Sequence, residues 1–326
     1  MLRIAILDDY QNVALSLADW GSLGDDCEVV RFDENLSTED QAAKQLEGFD
    51  VLCLMRERMP LPASLIVRLP RLKLVVVTGA RVRTIDMETA VAQGITVCRT
   101  FAGQSAHATP EMAWGLILSL ARSIPAEDAR VRQGGWQQTV GTILGGKTLG
   151  LVGLGKLGAR MVPIAKAFDM DVIAWSQNLT KERASECGAR MVDKETLFRE
   201  ADVVSLHLIL GDRSRNTVSA TEIALMKPGA FLINTARGPL VDEHALVAAL
   251  ELGQIKAGLD VYDEEPLPKD HPLRRSPNTV LTPHLGYVTE GAYAAFYRDT
   301  VENIKAWRAG TPLRVLAAPS AEGNSQ

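Results

Sequence analysis

Three residues far apart in the chain each follow a short apolar run: Arg237 comes just after Phe231–Ile233, Glu265 after Ala257–Leu259, and His284 after Val280–Leu281. In a parallel sheet such runs are buried strands, and ligands bind beyond their carboxyl ends. Side chains delivered from three strands to one edge can therefore meet. Arginine holds a carboxylate through two parallel hydrogen bonds. Histidine gives or takes a proton near neutral pH. A glutamate beside it favours the protonated ring. Together they suit proton transfer on a small anionic acid. A fourth polar residue, His207, follows Val203–Leu206. It reads as a ligand-side or structural residue rather than a second base.

These strands need an organising element, and Gly146–Gly158 supplies it. Leu149–Val152 is one buried strand long. Gly153, Gly155 and Gly158 follow in the spacing G-x-G-x-x-G, and Ala159–Phe168 reads as a helix. Strand, glycines and helix in that order predict a dinucleotide site. Gly153 makes the turn, Gly155 lets backbone approach a pyrophosphate, and Gly158 lets helix and strand pack closely. The helix start offers N–H groups to phosphate.

The remaining chain repeats the rhythm. Strands are expected at 3–8, 27–32, 51–54, 74–77 and 95–98, then near 149–152, 172–175, 202–206, 230–234, 256–260 and 279–281. Helices are expected at 13–20, 38–46 (capped by Ser37 or Thr38), 86–93, 105–120, 156–168, 194–200, 219–226, 242–252 and 289–308. The 105–120 helix is apolar nearly all round, so it is buried, either as a bridge into a second domain or in a subunit contact. Residues 126–146, rich in glycine, read as a connecting loop, and the tail from Pro319 as disordered. This is an α/β pattern.

A length of 326 residues suggests two domains. With 35 basic and 40 acidic residues the net charge is −5, which gives no reason to expect nucleic acid as a partner. The amino terminus reads as a strand ending in acids rather than a secretory leader. No apolar run approaches the roughly 20 residues that span a membrane. Cys27, Cys53, Cys98 and Cys187 are scattered without C-x-x-C spacing, which predicts small hydrophobes rather than disulfides or metal ligands, hence no metal and a reducing, cytoplasmic setting.

The chain resembles the D-isomer-specific 2-hydroxyacid dehydrogenases, in their phosphoglycerate-dehydrogenase-like branch. The matching pieces are Gly153–Gly158, Asn234-Thr235-Ala236-Arg237-Gly238, Leu259-Asp260-Val261 running into Glu265-Pro266, and Pro283-His284-Leu285-Gly286. They occur in family order over nearly the whole length. The resemblance implies two Rossmann-like domains with parallel sheets and a cleft between them. One is a discontinuous, flavodoxin-like substrate domain of residues 1–103 plus 287–326. The other is an NAD(P)-binding domain of residues 104–286. It implies hydride transfer between a nicotinamide and a small 2-hydroxy or 2-oxo acid, with His284 as acid/base, Glu265 as its partner and Arg237 on the substrate carboxylate. Its cofactor contacts would be Gly153, Gly155, Lys156, Leu157, Gly158, Trp175, Ser176, His207, Thr235, Ala236, Asp260 and Gly286. Its substrate contacts would be Arg56, Gly79, Ala80, Arg81 and Arg237. The family also implies a homodimer, and 3-phosphoglycerate, glyoxylate and hydroxypyruvate are the candidate substrates.

The sequence departs from the pattern at one point. An NAD-preferring unit ends its second strand with an acid that binds the ribose 2′-hydroxyl. Here Val172–Trp175 runs into Ser176-Gln177-Asn178, and Asp169 and Asp171 lie at the opposite end. The nearest cations in sequence are Lys181 and Arg183, so NAD and NADP both remain open. Arg56, Arg58, Arg81 and Arg83 follow two strands of the first domain and could favour a second anionic group on the substrate. Tyr287 is expected to narrow the pocket.

Overall fold

The computed structural model describes residues 1–36, 38–79, 82–101 and 106–319. Ser37, Ala80, Arg81, the start of the expected 105–120 helix and the tail from 320 lie outside them. The chain forms two compact units, residues 1–105 with 289–326, and residues 106–288.

In chain order, unit 1 opens with β1 (Leu2–Ile6), β2 (Cys27–Arg31), α1 (Glu39–Leu46), β3 (Val51–Leu54), α2 (Ala63–Ile66), β4 (Leu74–Val77), α3 (Met87–Ala92) and β5 (Thr96–Arg99). Unit 2 follows with α4 (Ala108–Arg122), α5 (Ile124–Arg132), β6 (Thr148–Val152), α6 (Gly158–Ala167), β7 (Asp171–Trp175), α7 (Lys181–Glu186), β8 (Arg190–Met191), α8 (Lys194–Glu200) and β9 (Val203–Leu206). It continues with α9 (Ala220–Leu225), β10 (Phe231–Asn234), α10 (Glu243–Glu251), β11 (Lys256–Leu259) and β12 (Thr279–Leu281). The chain then returns to unit 1 with α11 (Glu290–Arg308) and β13 (Val315–Ala317).

Unit 1 has the strand order β13-β5-β4-β3-β1-β2, parallel except for β13, which pairs antiparallel with β5. Unit 2 has the order β12-β11-β10-β9-β6-β7-β8, parallel throughout. Strands β3, β4, β9 and β10 are buried along their whole length, which is why they read as unbroken apolar runs. The order reverses between β1 and β3 in unit 1 and between β6 and β9 in unit 2. Those are the two places where a doubly wound sheet opens a crevice at its carboxyl edge.

Helix ends follow local chemistry. The side chains of Thr38, Asp86, Thr180, Asp193, Asp242 and Thr289 each accept a backbone N–H in the first turn. Ser219 and Glu222 form a reciprocal capping box on α9. Helix α4 buries Ala113, Trp114, Leu116, Ile117 and Leu120 in the core of unit 2. Its approach to β11 needs Gly258, where a Cβ would stand 2.9 Å from Leu116 Cβ. The apolar helix is therefore covered by its own sheet.

Two expectations are corrected. Residues 13–18 make turns rather than a helix, and a 3-10 turn occupies Trp20–Leu23. The Asp9 carboxylate binds the Val13 and Ala14 N–H groups, and Trp20 Nε1 bonds back to Ala14 O, so tertiary partners replace the helical ladder. Residues 124–132, expected partly as loop, are helix α5, with Pro125 in its first turn and no buried residue. A helix without an apolar face leaves no periodic signal.

Candidate active site

Strands β10, β11 and β12 lie side by side and deliver the three residues read from the sequence. His284 Nδ1 lies 2.5 Å from Glu265 Oε2. The other carboxylate oxygen of Glu265 accepts the Tyr262 N–H at 3.0 Å. Among the described residues no hydrogen bond reaches His284 Nε2. The pair thus fixes one face of the imidazole and leaves the other nitrogen for chemistry. Burial pushes the Glu265 carboxyl up. The hydrogen bond and charge of His284, the Tyr262 N–H and the Arg237 charge outweigh it, so the group lies below the usual range.

His284 has φ 57°, left-handed backbone that a non-glycine residue adopts at a cost. Asp260, fully buried at the end of β11, holds this turn in place. Its carboxylate accepts from Thr282 Oγ1 at 2.6 Å and from the N–H groups of Leu285 and Gly286 at 2.7 Å each. Burial pushes the Asp260 carboxyl up against the pull of those donors. Tyr287 is buried, with its ring edge-on to His284 at 5.3 Å between centroids.

Arg237 is presented by a stapled loop. Asn234 Nδ2 donates to Arg237 O at 2.8 Å, and Asn234 Oδ1 accepts the Ala236 N–H at 3.1 Å. Arg237 Nη1 donates to Ala236 O at 2.7 Å. The next residue, Gly238, presses on the Glu265 loop: a Cβ there would fall 2.1 Å from the carbonyl carbon and oxygen of Tyr262. The arginine and glutamate loops are therefore in backbone contact. Tyr262 completes the frame by donating its hydroxyl to Thr282 O at 3.0 Å. Asn234, Gly238 and Tyr262 are positioning residues to which the sequence reading gave no role. An Asn at the end of a buried strand was the available signal, because its side chain makes its own turn.

The glycine turn lies at the β6/β9 crevice. Gly153 has φ 102°, and a Cβ there would meet His207 O at 2.8 Å. At Gly158 a Cβ would meet Gly153 O at 2.1 Å, whereas at Gly155 it would enter open space. So Gly153 and Gly158 serve internal packing, and Gly155 keeps a surface clear. No side chain caps the start of α6 at Leu157, which follows Lys156. His207 Nε2 pairs with Ser205 Oγ at 3.0 Å, while its Nδ1 and Thr235 Oγ1 are buried without a hydrogen-bond partner among the described residues. Burial pulls the His207 imidazole down to about 4, which favours the neutral ring. An open glycine, an uncapped helix start and two unmatched polar atoms fit a dinucleotide. Trp175 and Ser176 stand at the end of β7, and Ala236 and Gly286 beside the Arg237 and His284 turns.

In unit 1, Arg56 has φ 56°, and its N–H donates to Thr78 Oγ1 at 2.9 Å. Its guanidinium lies over Gly79, with Nη1 2.5 Å from where a Cβ would be. Arg58 donates to Asp8 O at 2.8 Å and stacks on Tyr10. Cys53 and Cys98 are buried in β3 and β5.

Residues 114–286, more than half of the chain, match the D-isomer specific 2-hydroxyacid dehydrogenase NAD-binding domain. The chain belongs to this family. It is an oxidoreductase of the CH–OH-acting class, built on a nicotinamide-nucleotide domain. It is 38% identical to glyoxylate reductase of Aeropyrum pernix over 282 residues, 83% of each chain. It is 38% identical to D-3-phosphoglycerate dehydrogenase of Methanocaldococcus jannaschii over 272 residues, 82% of this chain but 51% of that one. Against such dehydrogenases the chain spans about half their length. The phosphoglycerate oxidoreductase structure from Vibrio cholerae superposes with a TM-score of 0.89 at 35% identity, covering 95% of this chain and all of that one. Among the described residues, no helix is long and apolar enough to cross a membrane.

Proposed function

We propose that this chain reduces a short 2-oxo acid to its D-2-hydroxy acid with NAD(P)H, and reverses the reaction when the balance favours oxidation. The observation that carries this is the His284–Glu265 pair at 2.5 Å, with Nε2 left over, flanked by Arg237. The Gly153–Gly158 turn would hold a dinucleotide by its pyrophosphate, and the nicotinamide of that group would supply or accept the hydride at the substrate C2. Arg237 holds the carboxylate in two parallel hydrogen bonds and polarises the neighbouring carbonyl. His284, charged, gives its Nε2 proton to the forming alkoxide oxygen. In the reverse direction neutral His284 takes the hydroxyl proton. Glu265 keeps the ring oriented and favours its charged form.

The substrate class is glyoxylate, hydroxypyruvate and the 3-phospho acids. The names of the similar proteins, glyoxylate reductase and D-3-phosphoglycerate dehydrogenase, support it. Besides Arg237, Arg56 and Gly79 are the substrate-side contacts proposed among the described residues, and Ala80 and Arg81 belong to the same proposal. Tyr287, against His284, limits what fits beside the imidazole. The protein works as a homodimer through the segment after α4, where Ile124, Val131, Trp136, Val140 and Ile143 are exposed.

The test is a turnover screen with glyoxylate, hydroxypyruvate, phosphohydroxypyruvate and pyruvate, following loss of reduced-nicotinamide absorbance. The reading expects oxidation with at least one acid, lost in His284→Ala and kept in a surface variant such as Lys269→Ala. Tight nucleotide binding with no turnover of any acid would contradict it.

A further inference from the structure

The ribose end of the nucleotide site has a cation that the sequence did not point to. Strand β7 ends at Trp175 and runs into Ser176-Gln177-Asn178, so no carboxylate follows the strand end to clamp a 2′-hydroxyl or repel a 2′-phosphate. Arg183, one of the two cations nearest in sequence, pairs with Glu186 along α7. Lys194, the first residue of α8, instead brings its Nζ to 5.6 Å from the Trp175 ring centroid. Its counter-ion is Glu222, 2.8 Å away.

The two members of that pair are held differently. Glu222 Oε2 accepts from Ser219 N–H at 2.8 Å and Ser219 Oγ at 2.6 Å, closing the cap of α9. The carboxylate is therefore tethered. Lys194 is held through the ammonium alone, on a flexible four-carbon stem, and its side chain is 31% exposed against 14% for Glu222. If a dianion arrives beside Trp175, the lysine can turn toward it and the glutamate cannot follow.

Building on the dinucleotide reading above, we propose that Lys194 reads the 2′ position of the adenosine ribose. The site then takes NADP(H), with the Ser176 hydroxyl as a second donor to the 2′-phosphate. Selectivity comes from α8, whose first residue lies beside the strand end where an acid would stand in an NAD-selective site.

The test is equilibrium titration of the full-length protein, freed of nucleotide, with NADPH and with NADH, following quenching of tryptophan emission. NADPH is expected to bind at least tenfold tighter and to lose affinity with added salt more steeply than NADH. Lys194→Gln weakens NADPH tenfold or more and leaves NADH within twofold, and Lys194→Arg retains NADPH. Glu222→Gln, whose side-chain oxygen can still cap α9, tightens NADPH severalfold. Preferential NADH binding, equal salt dependence of the two nucleotides, or a Lys194→Gln effect equal on both would overturn the assignment and leave the dinucleotide site standing. Failure of the wild-type protein to bind either nucleotide would remove both readings together. Should Lys194→Gln fail to fold, the wild-type salt dependence still decides.

Discussion

The two sheets reverse strand order in the same way, yet their crevices are treated oppositely. In unit 1 the β1/β3 crevice is filled by the chain itself. Asp8 lies buried at the end of β1 with φ 57°; its Oδ1 accepts from Tyr10 Oη at 2.9 Å and Asn35 Nδ2 at 3.1 Å, and its Oδ2 has no hydrogen-bond partner among the described residues. Arg58 closes over it onto the Asp8 carbonyl. In unit 2 the β6/β9 crevice is lined by glycine, with open space at Gly155 and unmatched polar atoms at His207 and Thr235. Topology offers a site in both units, and both keep an unmatched buried polar atom; side-chain size separates them, with Arg58 stacked on Tyr10 in one and glycine in the other. Polar residues at a carboxyl edge are therefore weak evidence of function until their partners are known. Arg58 and His284 look alike in sequence, each following a strand, but the guanidinium bonds its own fold while the imidazole keeps a nitrogen in reserve.

The comparison can be broken in four ways. The largest effect is expected at the reserved nitrogen. His284→Gln should lower turnover by roughly 10²- to 10⁴-fold, the usual worth of a positioned acid/base, with nucleotide affinity unchanged by titration. Next comes the backbone contact between loops. Gly238→Ala places a methyl 2.1 Å from the Tyr262 carbonyl, and should cost on the order of 2–4 kcal/mol in denaturant unfolding while lowering kcat. An unchanged midpoint would show that the loops can separate freely.

The third separates packing from binding within one motif. Gly155→Ala meets no atom of the protein, so Tm should stay within about 2 °C while nucleotide affinity drops roughly tenfold. Gly158→Ala, which strikes Gly153 O, should lose both. Equal behaviour of the two variants would erase the distinction drawn here.

The smallest effect belongs to the filled crevice. Burial raises the Asp8 carboxyl above its ordinary value. The stability this group contributes is therefore present below the unfolded-state pKa near 4 and is lost as pH rises through the folded-state value. Asp8→Asn removes that loss. The variant should gain on the wild type between pH 4 and pH 7 in denaturant unfolding, with turnover unaffected. A steady deficit at every pH would mean that the charge itself holds unit 1 together.

Much of the proposed site was legible because its residues abut buried strands. The runs Phe231–Ile233, Ala257–Leu259 and Val280–Leu281 are too apolar and too short to be anything but interior strands, so Arg237, Glu265 and His284 could be placed on one edge. The glycine spacing was legible for the same reason. What escaped depends on distance. Lys194 is remote in sequence from Trp175, and nothing in its neighbours marks it. The tie from Asp260 to the Leu285 and Gly286 N–H groups joins a strand end to a turn 25 residues later. Helix α5 and the two-residue strand β8 have no apolar periodicity to reveal them. Residues 13–20 read as helical because local propensity cannot foresee that Asp9 will claim two of their N–H groups.

The account rests on the Glu265–His284 pair acting as one acid/base unit, and a double-mutant cycle in kcat/KM for 2-oxo acid reduction tests it most directly. Glu265→Gln and His284→Gln should each lower kcat/KM by roughly tenfold or more, and the double variant should be no worse than His284→Gln alone. Losses that multiply in the double variant would contradict the account.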